Sequence, residues 1–391
     1  MGAGRADAAT LSVAENARGW PLIVRRAKVE DREAVLAFAS VTWNGWDYIP
    51  NAWPVWLDAT DGAFLVAEVD EPVGGVGAGL IDAEGRPLEV GQPVAITRVA
   101  MVSDDEAWLE GIRVDPRVRG LGVAADLQVA ELHWVVAQRA VIVRYATGGE
   151  NLGSHKLGAR DGINLLARFR DWRWSAAGSA EDDEDDKDDL SAFDPQIREQ
   201  ATARRRTALE RLGEAGMIAS AERDDADHLW HRLADDPTFA AGHRLFEARS
   251  WAMAELTEAL FRRHLLRGEV IVGRDPVAGG AWAVAILVGE QLASEDSALR
   301  LALLTGDGAV AAALADQIRS VVEQSVRFRV PVDVPMITGH EATFRAAGFT
   351  TRDREMHILA RAMDADHPIP VADPSRVVLV DPPQRVKPPR W

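Results

Sequence analysis

The residues best placed to do chemistry run from Glu110 to Ala125, E-G-I-R-V-D-P-R-V-R-G-L-G-V-A-A. Ile112 and Val114 are β-branched and alternate, which predicts a strand. Asp115-Pro116 ends it, because proline donates nothing to a ladder. Arg117, Val118, Arg119, Gly120, Leu121 and Gly122 follow, and then a helix that opens with Val123 and Ala124. Two glycines let the backbone turn tightly and bring its N–H groups close to a ligand. The helix N-terminus adds partial positive charge, and Arg117 and Arg119 add full charges. Such a loop suits a pyrophosphate. The same letters fit the dinucleotide fingerprint, as Gly120-x-Gly122-x-x-Ala125, with Arg144 near the expected 2′-phosphate contact. Against that reading, Asp115–Arg119 separates the strand from its first glycine, and the unit does not open its domain.

Glu110 lies on the strand that feeds the loop. Period-two alternation puts it on one face with Trp108, Ile112 and Val114. A tryptophan beside a carboxylate raises its pKa by desolvation, and a structural or solvent-facing glutamate is the other reading of this position. A second cluster is Trp43, Asn44, Trp46, Asp47, Tyr48, Trp53 and Trp56, from a chain with 13 tryptophans and 2 tyrosines. Rigid aromatics with a few polar handles make an acceptor pocket. They also make a core staple or a dimer contact. Asp47 suits an ammonium or imidazolium, and Arg113 or Arg144 an acceptor carboxylate. There are no cysteines and the 9 histidines form no H-E-x-x-H pair, so no metal site is expected.

The elements that must position these residues follow from hydrophobic period and turn signals. Pro21–Ala27 reads as a strand and Val29–Ala39 as an amphipathic helix. Ala63–Glu68 and Val73–Ile81 read as a hairpin, Pro93–Val102 and Trp108–Val114 as further strands. Val141–Tyr145 is a strand after the helix. Gly162–Arg170 is another. A nearly pure acidic run, Glu181–Asp189, predicts a disordered loop, and residues 194–235 a helical connector. From about His243 the order repeats. Ala254–Leu266 reads as a helix, Glu269–Val272, Ala281–Val288 and Leu299–Leu304 as strands. Thr305-Gly306-Asp307-Gly308 and an alanine-rich helix follow, then Val330–Ile337 and Glu355–Ala360 as strands. This second loop lacks the arginines and carries Asp307, whose charge repels a phosphate. The expected segments are 1–19 disordered, 20–176 the first domain, 177–240 the loop and connector, 241–364 the second domain, and 365–391 a proline-rich tail.

The chain has 391 residues and a formal charge of −17, which argues against a nucleic-acid surface. No apolar run is long enough to span a bilayer, and residues 1–19 form no signal peptide. A cytoplasmic protein without a membrane partner is expected, as monomer or homodimer.

The form R-x-x-G-x-G resembles the acetyl-CoA loop of the GNAT N-acetyltransferase superfamily. The resemblance implies an α+β fold in two tandem domains, each a mixed, mostly antiparallel sheet flanked by helices, with the second copy degenerate. It implies acetyl-CoA as donor, its pyrophosphate on the amides from Val118 to Ala124 and its pantetheine arm paired with Ile112–Val114. It implies Glu110 as general base, directly or through water, and Asn151 in the family's N-x-x-A/S segment. The tyrosine that many members carry as general acid falls at Gly158, which leaves His155 or water for that task. Tyr145 would donate to the acetyl oxygen or line the tunnel, and Trp43, Trp46, Asp47 and Tyr48 would bind the acceptor. D-Y-I-P with its tryptophans, E-G-I-R-V and G-I-N-L-L-A-R-F-R are similar to the histidine N-acetyltransferase-like group. That implies a small amine acceptor, a class that includes free amino acids such as histidine. His340 and His357 fall in the second copy and read as structural. A non-catalytic acetyl-CoA sensor and a protein-lysine acetyltransferase are the alternatives.

Overall fold

A computed structural model describes residues 22–40, 42, 47–70, 88–175, 203, 205–208, 210–211, 226–274, 282–291, 297–322, 324–333, 337–364, 368–370, 377–379 and 385–387. The expectations for 1–19, Trp43, Asn44, Trp46, the strand at 73–81, the acidic run and most of the connector and tail lie outside the described residues. The chain divides into two compact units. The first takes residues 1–144, 156–163 and 361–390, the second 145–155, 164–360 and 391.

In the first unit, β1 (Leu22–Arg26), β2 (Gly62–Val69), β3 (Pro93–Met101) and β4 (Glu106–Val114) form an antiparallel run. The start of β5 (Ile142–Gly148) pairs parallel with β4 after the crossover helix α3 (Val123–Gln138). A short late strand, β14 (Val377–Leu379), adds parallel to β1. β3 is buried from end to end, as expected of a strand covered on both faces. α1 (Arg32–Ala39) and α2 (Ile49–Asp58) precede β2. The second half of the aromatic stretch is therefore a helix. Pro50 stands in its first turn, where its missing N–H costs nothing. Trp53 and Trp56 pack edge-on against Phe64 of β2, with ring centroids 4.8 and 5.2 Å apart.

β4 departs from simple alternation. Arg98 of β3 pairs with Glu110, but Ile96 pairs with Arg113, so Gly111 and Ile112 together oppose Thr97 alone. This is a β-bulge, and Gly111 takes φ +73° to make it. Residues across a pair share a face, so Glu110 shares its face with Arg113. The expected face of Glu110 with Ile112 and Val114 is corrected by this extra residue.

In the second unit the strand order is the end of β5, β13 (Thr350–Ala362), β6 (Asn164–Trp174), β12 (Ser325–Pro331), β11 (Ser297–Gly306), β10 (Trp282–Gln291), β9 (Val270–Arg274). β6 was expected to complete the first domain; its neighbours are β12 and β13. The helix α4 (Leu152–Arg160) joins β5 to β6. β9 to β11 are antiparallel, and β11 pairs parallel with β12 across the helix α8 (Gly308–Val321). That is the order of β2 to β5 again. Phe328, Trp172 and Ile318 form its core with Phe344 of α9 (Ile337–Ala346) and Phe349. Before it come α5 (Ala226–Ala234), α6 (Pro237–Ala241), and a separate hairpin of β7 (Leu245–Arg249) and β8 (Ala252–Glu255). The helix expected over 254–266 starts only at Glu258, as α7 (Glu258–Leu266). The segment Ala252–Glu255 favours helix by composition, but cross-strand pairing with β7 overrides that preference.

Candidate active site

The glycine loop forms as the sequence predicts. Asp115 accepts from the Arg117 amide and caps a single 3-10 turn, Pro116–Val118. Gly120 and Gly122 take φ +82° and +89°, a region costly for any residue with a Cβ. A Cβ built at Gly120 meets no atom within 4 Å. Gly122 is the N-cap of α3 and, as a glycine, makes no side-chain cap bond to that terminus. Leu121, Val123 and Ala124 complete the loop, and Val118 is buried beneath it. The arrangement suits a phosphate: turned amides, a helix N-terminus and open space.

The two loop arginines do different things. The Arg117 guanidinium folds back onto Asp115, with Nη2 2.6 Å from Oδ2, so its charge is largely neutralised within the turn. Its expected role as a full charge for the ligand is corrected accordingly. Arg119 is exposed and donates Nε to the Val114 carbonyl. Arg160, not singled out by the sequence, places Nη2 2.8 Å from the Ala125 carbonyl in the first turn of α3.

β4 pairs with β5 only over Glu106–Trp108. From Leu109 to Val114 its edge on that side has no strand register among the first unit's described residues. The Ile112 and Val114 carbonyls there accept from the Arg113 and Arg119 side chains, contacts that an added strand, such as a pantetheine arm, would replace.

A second group of contacts is built on the face that the bulge gives to Glu110. The Glu110 carboxylate bonds to Arg98, whose other nitrogen donates to Asp61 at 2.6 Å. The Arg98 guanidinium lies 5.7 Å from the Trp56 ring centroid. Trp56 in turn lies over Gly111, so closely that a Cβ there would fall 2.4 Å from its ring. Tyr48 meets Trp56 edge-on at 5.9 Å. Burial pushes the Tyr48 hydroxyl up to about 12; the Arg113 charge opposes this, and Glu110 and Asp47 add to it. The phenol is therefore a donor at neutral pH.

Asp47 is 3% exposed and accepts from Arg113 Nε at 2.5 Å and Nη2 at 3.0 Å. It also accepts from the Ile49 amide at 3.0 Å, which starts α2. This pair replaces both expected contacts, Asp47 to a substrate ammonium and Arg113 to a substrate carboxylate. Arg144 bonds to Glu106 at 2.6 Å, both buried.

In the second unit, the Tyr145 hydroxyl donates to the Ser154 carbonyl at 2.8 Å, so its proton is held by the first turn of α4. Asn151 accepts from the Ser154 amide and donates to Thr147. His155 lies with Nε2 3.2 Å from Nδ1 of His357, whose Nε2 is 3.3 Å from Glu355. Its pKa is lowered by burial and by the His357 charge, against a bond to the Gly148 backbone. His357, read as structural from the sequence, thus contacts a candidate acid. The T-G-D-G loop differs from its counterpart: Asp307 caps α8 by accepting from the Ala309 and Val310 amides at 3.1 and 3.4 Å. The groups a phosphate would use are already covered by a carboxylate.

Arg98, Asp61, Thr97 and Glu131 carry no local signal, because their contacts join segments far apart in the chain. No cluster among the described residues could hold a metal ion. No helix among them is long and apolar enough to cross a membrane.

Residues 32–160 match the family model described as Acetyltransferase (GNAT) family. A histidine N-acetyltransferase of Oreochromis niloticus is 27% identical over 151 residues, 37% of this chain and 39% of that protein. Among solved structures, a putative acetyltransferase from Thermoplasma acidophilum covers 87% of this chain and 99% of its own, with 14% identity and TM-score 0.46. A GCN5-related N-acetyltransferase from Sphaerobacter thermophilus covers 91% and 98%, with 13% identity and TM-score 0.45. The loop and the strand that feeds it both lie within residues 32–160, the part of the chain that matches the GNAT acetyltransferase family.

Proposed function

We propose that this chain is a cytoplasmic N-acetyltransferase that moves acetyl from acetyl-CoA to the amine of a small molecule, an amino acid such as histidine being the leading acceptor. One contrast carries the reading: the N-cap of α3 is a glycine, which supplies no side-chain cap, while the N-cap of α8 is Asp307, whose carboxylate accepts from that helix's first amides. The first domain, about 20–176, is the catalytic one, and the second is a degenerate repeat of it that binds no CoA.

Bound acetyl-CoA supplies a thioester, whose acetyl carbon takes the amine lone pair as its C–S bond breaks. The amides from Val118 to Ala124 hold the pyrophosphate, with Arg119 adding charge. The β4 backbone at Ile112–Val114 aligns the pantetheine arm, and Asn151 fixes the segment that follows β5. Glu110 takes the amine proton, directly or through a water, which fits a carboxylate on the face of Tyr48 and Trp56. His155 or water returns a proton to the leaving sulfur. Tyr145 acts by holding α4 through Ser154. Tyr48 and Trp56 wall the acceptor. Asp47 acts one step removed, by fixing Arg113 beneath the Tyr48 ring at 5.1 Å.

An aromatic wall with few open carboxylates suits a planar amino acid better than a polyamine, and the name of the Oreochromis niloticus relative points the same way. The test is thiol release from acetyl-CoA across a panel of amino acids, polyamines and lysine peptides. Histidine or another free amino acid should lead. Release with lysine peptides alone, or with no amine at all, overturns the proposal.

A further inference from the structure

One buried acid stands behind the bulge and has no part in the reading above. Glu131 lies on α3, on the far side of the sheet from Arg98 and Trp56, and is 2% exposed. Its Oε1 lies 2.5 Å from Thr97 Oγ1. Thr97 is the residue left facing Gly111 and Ile112 across the bulge. The same Thr97 hydroxyl is 3.3 Å from the Glu110 carbonyl oxygen.

The hydrogen count decides the protonation. A hydroxyl has one hydrogen to donate. If Glu131 is ionised, Thr97 faces two oxygens that only accept, and one contact has no hydrogen. If Glu131 carries a proton, it donates to Thr97, Thr97 donates to the Glu110 carbonyl, and both contacts are satisfied. The surroundings agree. β3 and β4 offer Glu131 the neutral Thr97 and the negative Glu110. β1, also packed on α3, carries Arg25, engaged by Asp31 and Glu68, and Arg26, which donates to the Gly62 carbonyl. Burial, and then the Glu110 charge, push the Glu131 carboxyl up to about 8, against the Thr97 bond.

We infer that Glu131 is a positioning residue: as a neutral carboxylic acid it pins the β4 bulge through Thr97, and so holds Glu110 toward the acceptor wall and the Ile112–Val114 edge toward its ligand. This rests on the acetyltransferase reading for its effect on turnover, but not for the bond itself. Loss of the Glu131 proton turns the Thr97 hydroxyl away from Glu110 and frees the bulge. Activity should therefore fall on an alkaline limb near pH 8, where Glu131 titrates.

Glutamine keeps a donor toward Thr97 and cannot ionise; alanine keeps neither. Glu131→Gln should retain kcat at neutral pH and shift or abolish the alkaline limb. Glu131→Ala and Thr97→Val should lower kcat by roughly 10- to 100-fold, the scale of a misplaced catalytic group. An infrared difference spectrum of wild type against Glu131→Gln at pH 7 should show a protonated carboxylic acid in the wild type. That band and CoA affinity by calorimetry, expected to weaken in Thr97→Val, need no turnover. If no amine is acetylated, the function fails while these two readouts still judge the bond. Absence of the acid band, an unchanged alkaline limb in Glu131→Gln, or CoA affinity unaltered in Thr97→Val overturns the inference.

Discussion

Asp47→Asn separates two roles for the aromatic segment. The Asp47 side chain is wholly buried and Arg113 nearly so. Burial works against the Arg113 charge, but Tyr48 and Asp47 more than offset it and hold the guanidinium charged. Asparagine can still accept from the Ile49 amide, but it then turns an NH₂ toward the guanidinium that Asp47 now satisfies. Removing one partner of a buried ion pair leaves an uncompensated charge and typically costs about 3–5 kcal/mol. That is a large fraction of the roughly 5–15 kcal/mol that holds a domain together. Urea unfolding followed by circular dichroism should show the midpoint falling with little change in slope. Replacing both partners, as Asp47→Leu with Arg113→Met, should recover most of the loss, because no charge is left stranded. If Asp47→Asn lowers stability by less than about 1 kcal/mol, the range of an exposed pair, and raises only the acceptor KM, the carboxylate reaches substrate and the buried-pair reasoning is wrong.

Three further outcomes are expected. Glu110→Gln should lower kcat by roughly 10²-fold with CoA affinity retained; an unchanged kcat and pH–rate profile return Glu110 to a structural role. Gly120→Glu should abolish CoA binding, and calorimetry on the unaltered chain should give one site; two equivalent sites per chain refute the reading of Asp307 as a cap. Burial raises the Glu131 pKa from 4.5 to about 8, so the unfolded chain releases this proton at lower pH than the folded one. Its contribution is therefore fully present below pH 4.5 and is lost as pH rises through about 8, by at most ~1.4 kcal/mol per unit. Thermal unfolding should show Glu131→Gln gaining on the wild type between pH 5 and 8, and a constant difference counts against a neutral Glu131.

What the sequence made legible is what local chemistry controls. The glycine loop shows itself because Pro116, Gly120 and Gly122 have few other uses in that order. β3 and β4 show themselves by β-branched runs. The bulge does not, since a period-two reading passes straight through Glu110, Gly111 and Ile112. The Asp47–Arg113 pair joins residues 66 apart, and nothing in either neighbourhood names the other. Glu131 looks like any helical glutamate until Thr97 closes over it. The Asp307 cap was half legible: its charge told against phosphate, and the structure adds that it occupies the amides itself.

β6 bears on how the chain is made. It lies between β12 and β13, and His155, just beyond β5, meets His357, 202 residues later. A ribosome adding roughly 5–20 residues per second exposes the edge of β5 on the order of ten seconds or more before β13 emerges to cover it. During that interval the nascent chain displays unsatisfied strand backbone, the kind of edge that recruits neighbouring polypeptides. A fragment that stops after β6 remains in that condition permanently. A chain cut after β6 is therefore a poor choice for expression, and a chaperone that shields strand edges has its natural moment of action between the synthesis of β6 and that of β12 and β13.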